Sequence, residues 1–558
     1  MCEHQEKALR SLAFRRARQS LILGLMSALL TSVPVKAAEV ILFNYSPVQL
    51  QLKTSSLEAF AQSGTIDANL RTYLKGTTPA QQAEFRRALV EKANVNPIQI
   101  SRFFNSETGE EILTFFGEYV KIQGGINGKL ALRGAIIQAA LDPEGLTLLN
   151  FLQKLPTNVE INVNDVLKLS RLINTVVQAT EVFSQNLAQL SAEEAAKNPP
   201  VNYATMTDLR QPGTYGVIKE RWTLTDPKRQ RTFYMDVYKP QRWRSGQTPV
   251  MIFSHGLASR PEDFEKQLSH LASYGYFVAA PQHPGSDLLQ VKNLLDGYSN
   301  QVFNRNEFID RPLDVSFILD ELERRNPSEF NGRLNLKSVG VMGHSFGGYT
   351  ALALAGATID FDYLEDACND NNQYFNLSLL LQCRALKLPR QEYNFRDSRV
   401  QAVLAANPVN SSLFGPKGLA KIQIPVWIGA GSYDPATPFV FEQARSFPWL
   451  TTEHKYLGMM QGQAHVDFSV LDAGLTTLID SSEILLPSPN LIAAYGDSTM
   501  VAFFEVYIAN NEDYRPFLRA SYSAYLSQDQ PFKFYVITRA SSEELEAELK
   551  KYRTEHGY

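Results

Sequence analysis

Ser345 lies in Gly343-His344-Ser345-Phe346-Gly347-Gly348, after the apolar Val339-Gly340-Val341-Met342 and before a helix-like run from Tyr349 to Ala357. A serine hydroxyl becomes a useful nucleophile when a sharp turn projects it from the backbone beside a base. Gly343 and Gly347 carry no Cβ, so a strand entering that turn and a helix leaving it can pass closely. Gly-x-Ser-x-Gly by itself arises by chance in a chain of 558 residues. Two residues further along the chain give it weight. Asp434, in Gly431-Ser432-Tyr433-Asp434-Pro435, comes directly after the apolar run Ile424 to Ala430, and His465, in Gly462-Gln463-Ala464-His465, comes after the strand-like His454 to Leu457. Taken singly, Asp434 is a turn initiator and His465 an ordinary loop histidine. Taken together in the order Ser, Asp, His, each just beyond a strand, they can form a relay. His465 takes the Ser345 proton and returns it to the leaving group, and Asp434 fixes the imidazole tautomer.

A tetrahedral oxyanion needs two backbone N–H groups aimed at one point. Phe346, next after the serine, supplies one. The other is expected from Leu257, because the apolar run Pro249 to Ser254 ends in His255-Gly256-Leu257-Ala258-Ser259. The bland reading of His255-Gly256 is a turn that ends a strand.

Three blocks carry a resemblance: Ile252-Phe253-Ser254-His255-Gly256-Leu257, Leu271-Ala272-Ser273-Tyr274-Gly275-Tyr276-Phe277-Val278-Ala279-Ala280 and Gly343 to Gly348. Over roughly residues 210 to 470 the chain resembles the plasma-type platelet-activating-factor acetylhydrolases and the bacterial predicted dienelactone hydrolases. The resemblance implies an α/β-hydrolase with a doubly wound, mostly parallel sheet that cleaves carboxylic esters without a cofactor. It departs at one point. The plasma enzymes carry the acid after the strand that here reads Val403-Leu404-Ala405-Ala406-Asn407-Pro408, which offers no carboxylate. The acid is therefore assigned to Asp434, its place in the dienelactone-hydrolase branch, which weakens the inference to phospholipid specificity.

Residues 1–37 read as an export signal: a basic start with Lys7, Arg10, Arg15, Arg16 and Arg18, an apolar core from Leu21 to Leu30, and Val35-Lys36-Ala37 as cleavage site. The core is too short for a bilayer-spanning helix. The expectation is a periplasmic or extracellular protein with no membrane span. Removing this segment takes six basic and two acidic side chains with it and moves the formal charge from −4 to about −8. Charge-driven binding to nucleic acid or anionic membranes is thereby excluded. Of three cysteines, Cys368 and Cys383 stay in the mature chain. In an oxidising compartment they read as a disulfide closing a loop of about 15 residues, worth ~3 kcal/mol, the alternative being two buried thiols. No Cys-x-x-Cys or His-Glu-x-x-His pattern supports a metal site.

Residues 38–190 read as a separate, mainly helical domain. An apolar hairpin at Val40 to Phe43 and Val48 to Leu52 leads into helical patterns that end with Val163 to Leu190. It resembles an N-terminal domain of unknown function that accompanies secreted bacterial hydrolases. Residues 191–209 read as a linker, with Asn198-Pro199-Pro200 at its centre, and 210–540 as the catalytic domain. Within that domain, the loop Gln282-His283-Pro284-Gly285-Ser286-Asp287 is expected to line the site. An insert at 358–398, rich in Tyr363, Tyr374, Phe375 and Leu379 to Leu381, is expected to form an apolar cap, the alternative being a self-packing excursion. Residues 541–558 read as a terminal helix.

The function expected is an exported serine ester hydrolase acting on a small-molecule ester, with short-chain acyl lipids in range, and needing no cofactor. Two alternatives stay open: a non-catalytic binding protein on a hydrolase scaffold, and a peptidase or thioesterase using the same three side chains.

Overall fold

A continuous apolar run in a strand is explained by burial on both faces, and Pro249 to Phe253 within Thr248–Ser254 and all of Phe277–Pro281 are such runs, in strands buried throughout. They sit inside a nine-stranded sheet in a computed structural model that describes residues 38–45, 47–369, 376–465 and 486–556. The export signal expected at 1–37 lies outside the described residues, as do the final two residues of the terminal helix. The chain divides into two compact units, one running up to Leu167 apart from Ser106–Thr108, the other from Lys168 onward.

The first unit is less purely helical than its sequence suggests. The hairpin β1 (Val40–Tyr45) and β2 (Val48–Lys53) forms as expected, with Tyr45 opposite Val48. Three further strands, β3 (Val120–Ile122), β4 (Ile126–Asn127) and β5 (Val159–Asn162), complete a sheet ordered β2-β1-β5-β3-β4. Strands of two to four residues carry no period that a sequence can show. Helices over Thr54–Ser63, Pro79–Val90 and Lys129–Leu141 cover a core that includes Ile41, Leu57, Phe60, Leu70, Leu113 and Leu132. A capping box between Thr78 and Gln81 starts the second of these helices.

The second unit holds β6 (Val217–Asp226), β7 (Arg231–Pro240), β8 (Thr248–Ser254), β9 (Phe277–Pro281), β10 (Leu334–His344), β11 (Val400–Ala406), β12 (Val426–Gly431), β13 (Lys455–Met460) and β14 (Phe534–Thr538). Their order is β6-β7-β9-β8-β10-β11-β12-β13-β14. Strands β9, β8, β10, β11, β12 and β13 run parallel, β6 and β7 pair as an antiparallel hairpin at one edge, and β14 closes the other edge antiparallel to β13. This is the α/β-hydrolase sheet, and it places the C-terminal ends of β8, β10, β12 and β13 along one rim.

Two expected boundaries move. The long helix α1 (Val163–Lys197) continues past 190, and the units divide within it, at Leu167, instead of in the expected linker. The cause is its apolar face: Ala179, Phe183, Leu187 and Leu190, spaced by three or four residues, are buried in the second unit's core. Further along α1, Ser191 accepts the Val536 N–H at 3.1 Å, and Glu194 accepts from the Thr538 N–H and from the Thr538 and Ser541 hydroxyls. The expected linker is thus packed structure, with Tyr203 and Leu209 buried. Strand β14 is an addition to the expected elements, and its five residues Phe-Tyr-Val-Ile-Thr are strand formers throughout.

The described part of the 358–398 insert packs inward. Phe361, Leu364, Leu381, Ala385 and Tyr393 join the main core, and Cys368 is bonded to Cys383. A single buried carboxylate, Glu442, accepts from Asn376, Ser378, Gln382, Ser411 Oγ and the Asn410 and Ser411 amides. That holds the insert to the segment after β11. Tyr374 and Phe375, counted towards a cap, lie outside the described residues.

Because Phe183 is fully buried with its ring edge-on to Tyr552, Phe183→Ala is expected to cost about 3–5 kcal/mol. Chemical denaturation of the whole chain reads this, and an unchanged midpoint would remove α1 from the second unit's core.

Candidate active site

Strand β10 stops at His344, and helix α2 (Phe346–Leu354) starts two residues later, so Ser345 must turn the chain alone. It does so at φ 57°, ψ −116°, a strained conformation for a residue with a side chain. The glycines on either side make this possible. A Cβ on Gly343 would lie 1.9 Å from the Gly347 carbonyl oxygen, and one on Gly347 would lie 1.8 Å from that of Ser254. The ends of β10, α2 and β8 therefore meet in backbone contact. Every residue of α2 is buried, which fixes the turn from below.

Ser345, Asp434 and His465 come together at the rim. The His465 Nε2 lies 2.8 Å from Ser345 Oγ and its Nδ1 lies 2.7 Å from Asp434 Oδ2. A carboxylate at Nδ1 keeps the proton there and leaves Nε2 free to accept the serine proton. Asp434 also accepts from the Asn407 side chain at 2.6 Å, the Thr437 hydroxyl at 2.7 Å and the Ala436 and Thr437 amides at 2.9 Å. Burial alone would raise its carboxyl, but the cationic form of His465 and the hydrogen bonds from His465 and Thr437 outweigh it and hold the group below the ordinary carboxylate value. His344 steadies the base from the other side by donating Nε2–H to the His465 carbonyl at 2.7 Å. Burial, and then the neighbouring His465, push His344 down to about 3, so it stays neutral as a donor.

The loop after β8 lies against the nucleophile: a Cβ on Gly256 would sit 3.2 Å from that of Ser345. Neither the Leu257 nor the Phe346 N–H donates a hydrogen bond to any described residue. Two unspent donors beside a serine are what an incoming oxyanion requires.

Under this loop is a second Ser-His-Asp array. Ser254 Oγ is 2.9 Å from His283 Nε2, and His283 Nδ1 is 3.0 Å from Asp314 Oδ2. All three side chains are fully buried, so no substrate reaches Ser254. Asp314 also accepts from Arg229 and Arg231. The loop carrying His283, expected to line the site, thus turns that histidine into the interior instead. Desolvation first, then Arg311, holds both His255 and His283 far below the ordinary histidine value, and both are neutral.

Sequence reasoning missed Asn407, Thr437, His344 and Arg311. Thr437 has a local signal, an Asp-Pro-x-Thr turn whose threonine returns to the aspartate. Asn407, directly after β11, carries no charge that would mark it. Arg311 gives no signal, because nothing in one sequence says that a helical arginine is fully buried. Among the described residues, no group of three His, Cys, Asp or Glu is arranged to hold a metal ion, and no helix is long and apolar enough to cross a membrane.

Asp434→Asn is expected to lower kcat by about 10⁴ by disfavouring the required tautomer. Steady-state rates in the folded variant check this, and near-wild-type turnover would mean that another group serves as the acid. Gly347→Ala is expected to abolish activity, since the new methyl would overlap the Ser254 carbonyl. Retained turnover would mean that the β8–α2 contact is not needed.

Residues 37–162 match the family described as "Alpha/beta hydrolase of unknown function (DUF1400)", and residues 207–365 match the chlorophyllase family. The second match runs from ahead of β6 past the turn at Ser345, the nucleophile elbow, and stops before Asp434 and His465. Chlorophyllase-1 of Arabidopsis thaliana is 32% identical over 119 residues, covering 21% of this chain and 32% of that protein. The chloroplastic Chlorophyllase-1 of Citrus unshiu is 30% identical over 118 residues, covering 20% and 32%. The chain thus spans about a third of the length of these curated relatives. The similarity, like the sheet, is to α/β-hydrolases.

Proposed function

We propose that the chain is a serine-dependent carboxylic ester hydrolase, exported to a periplasmic or extracellular location and cleaved after the leader at 1–37. The reading rests on one observation, the hydrogen-bonded series Asp434, His465, Ser345 with spacings of 2.7 and 2.8 Å at the rim of the sheet. The chlorophyllase similarity over the oxyanion loop and elbow supports it.

In this mechanism the Ser345 Oγ forms a bond to the ester carbonyl carbon as His465 Nε2 takes its proton. The carbonyl π pair moves onto oxygen, where the Leu257 and Phe346 amides stabilise it. When the pair returns, the bond to the alcohol oxygen breaks and His465 gives its proton to the departing alkoxide. That leaves an acyl group on Ser345. Water, deprotonated by His465, repeats the sequence and releases the acid. Each step needs only protein groups and water.

The substrate class proposed is short-chain acyl esters, with acyl lipids among them in the manner of the acetylhydrolases that the three sequence blocks resemble. The chlorophyllase relatives add a second candidate, a chlorophyll-type ester. Their similarity ends at residue 365, ahead of most of the insert, so it bears on the reaction more than on the pocket.

A fluorophosphonate probe is expected to label the wild type and not Ser345→Ala. Equal labelling of both, or none of a folded wild type, contradicts the enzyme reading. A p-nitrophenyl ester panel from acetyl to palmitoyl, run beside a peptide and a thioester, is expected to show highest kcat/KM on short acyl esters. Background rates on all esters would leave the binding-protein alternative, and preference for the peptide or thioester the other.

A further inference from the structure

The helix Glu307–Glu329 brings Arg311 directly beneath the loop after β8. Its side chain is fully buried. Three of its nitrogens are engaged: Nη1 donates to the His255 carbonyl at 2.6 Å, Nη2 to the Gly256 carbonyl at 3.4 Å, and Nε to Ser286 Oγ at 2.9 Å. The guanidinium carbon lies 4.4 Å from the centre of the Phe346 ring. One buried cation therefore touches both segments whose amides flank Ser345, those of Leu257 and Phe346.

His255 acts on the same peptide unit. Its Nε2 accepts the His283 N–H at 3.1 Å, so the ring proton is on Nδ1, which donates to the Gly256 carbonyl at 2.7 Å. The Gly256 carbonyl and the Leu257 N–H are the two ends of one peptide group. Hydrogen bonds accepted at the carbonyl polarise that group and strengthen the N–H as a donor, more so in a dry interior. The same loop is stapled by the Ala258 N–H to the Ser286 carbonyl at 2.9 Å, with Ala258 at φ 61°. Ser286 Oγ is in turn tied to Glu307 at 2.6 Å. Burying an arginine and orienting a neutral histidine for a mere turn would be costly. The arrangement has a use if that N–H must be fixed and polarised.

We infer that Arg311 and His255 are positioning residues for the oxyanion site: together they hold and polarise the Gly256–Leu257 peptide so that its N–H faces the developing negative charge. The inference rests on the ester-hydrolase reading, but it assigns a role to a buried cluster that the triad does not use. Arg311 touches no reacting atom. It acts through the Leu257 amide and, by its place on the Phe346 ring, through the segment bearing the second donor.

The test compares p-nitrophenyl acetate with its thiono analogue, in which sulfur replaces the carbonyl oxygen and accepts hydrogen bonds poorly. Wild type, Arg311→Lys, Arg311→Met and His255→Phe are assayed, with folding checked by near-UV circular dichroism and Ser345 occupancy by fluorophosphonate. The expected result is a drop in kcat of about 10²-fold for Arg311→Met and His255→Phe, with KM little changed and partial recovery in Arg311→Lys. The preference for oxygen over sulfur should shrink along with kcat. A folded Arg311→Met or His255→Phe with unchanged kcat overturns the inference, and so does a fall in kcat with the oxygen preference intact, which marks a purely structural role. Should Arg311→Met not fold, His255→Phe and Arg311→Lys decide by the same two readouts. A wild type that is neither labelled nor active on the oxygen ester refutes the ester-hydrolase reading and this inference with it, and is told apart because the defect precedes any substitution.

Discussion

The close passage of three backbones at Ser345 is the constraint on which the site depends. With a Cβ at Gly343 or Gly347 overlapping a carbonyl oxygen by more than an ångström, β10, α2 and β8 can meet in this way only if both positions lack a side chain. That meeting sets the strained turn at Ser345 and puts the loop after β8 against the nucleophile. The sheet supplies the rest, since parallel strands end on one rim and deliver Asp434 and His465 from the ends of β12 and β13. The strain is held by the wholly buried α2 and by the Ser345 N–H donating to the Ala406 carbonyl at 2.9 Å.

Among the described residues, two Ser-His-Asp arrays have similar spacing, and burial separates their roles. In the array at the rim, the His465 side chain keeps 14% of its surface exposed and Ser345 keeps 6%. In the other, Ser254, His283 and Asp314 have none. A hydroxyl that a substrate cannot reach is a structural donor whatever hydrogen bonds it makes. The inner array supports the outer one, because Ser254 ends β8 and the His283 N–H fixes the tautomer of His255. Charge is confined accordingly. Arg229, Arg231 and Arg311 lie against Asp314 and Glu307 below the loop. The described groups bonded to Ser345, His465 and Asp434 include no lysine or arginine.

Much of this was legible in the sequence. The elbow, the two loop residues after apolar strands and the His255-Gly256 turn are local patterns, and local patterns survive folding when the surrounding strands are apolar throughout. The pairing of Cys368 with Cys383 was readable from there being two cysteines at a loop length that closes readily. What stayed hidden was non-local. Nothing in Arg311, His283 or Asp314 announces burial, because their partners lie far off in the chain, at Arg231 on β7, Ser254 on β8 and the loop after β8. The unit boundary falls elsewhere for a related reason: a helix as long as Val163–Lys197 reads as one element, and only its packing shows that all but its first five residues belong to the second unit. Strands β3 and β4 were too short to show any alternation.

The proposed mechanism requires Ser345 to carry the acyl group between two chemical steps. Rapid mixing with p-nitrophenyl acetate, acid quenching in the first turnover and peptide mass mapping test it most directly. One acetyl group per chain is expected, confined to the peptide containing Ser345 and lost on longer incubation. Acetyl on another residue, or turnover in which no acylated chain forms, would contradict it.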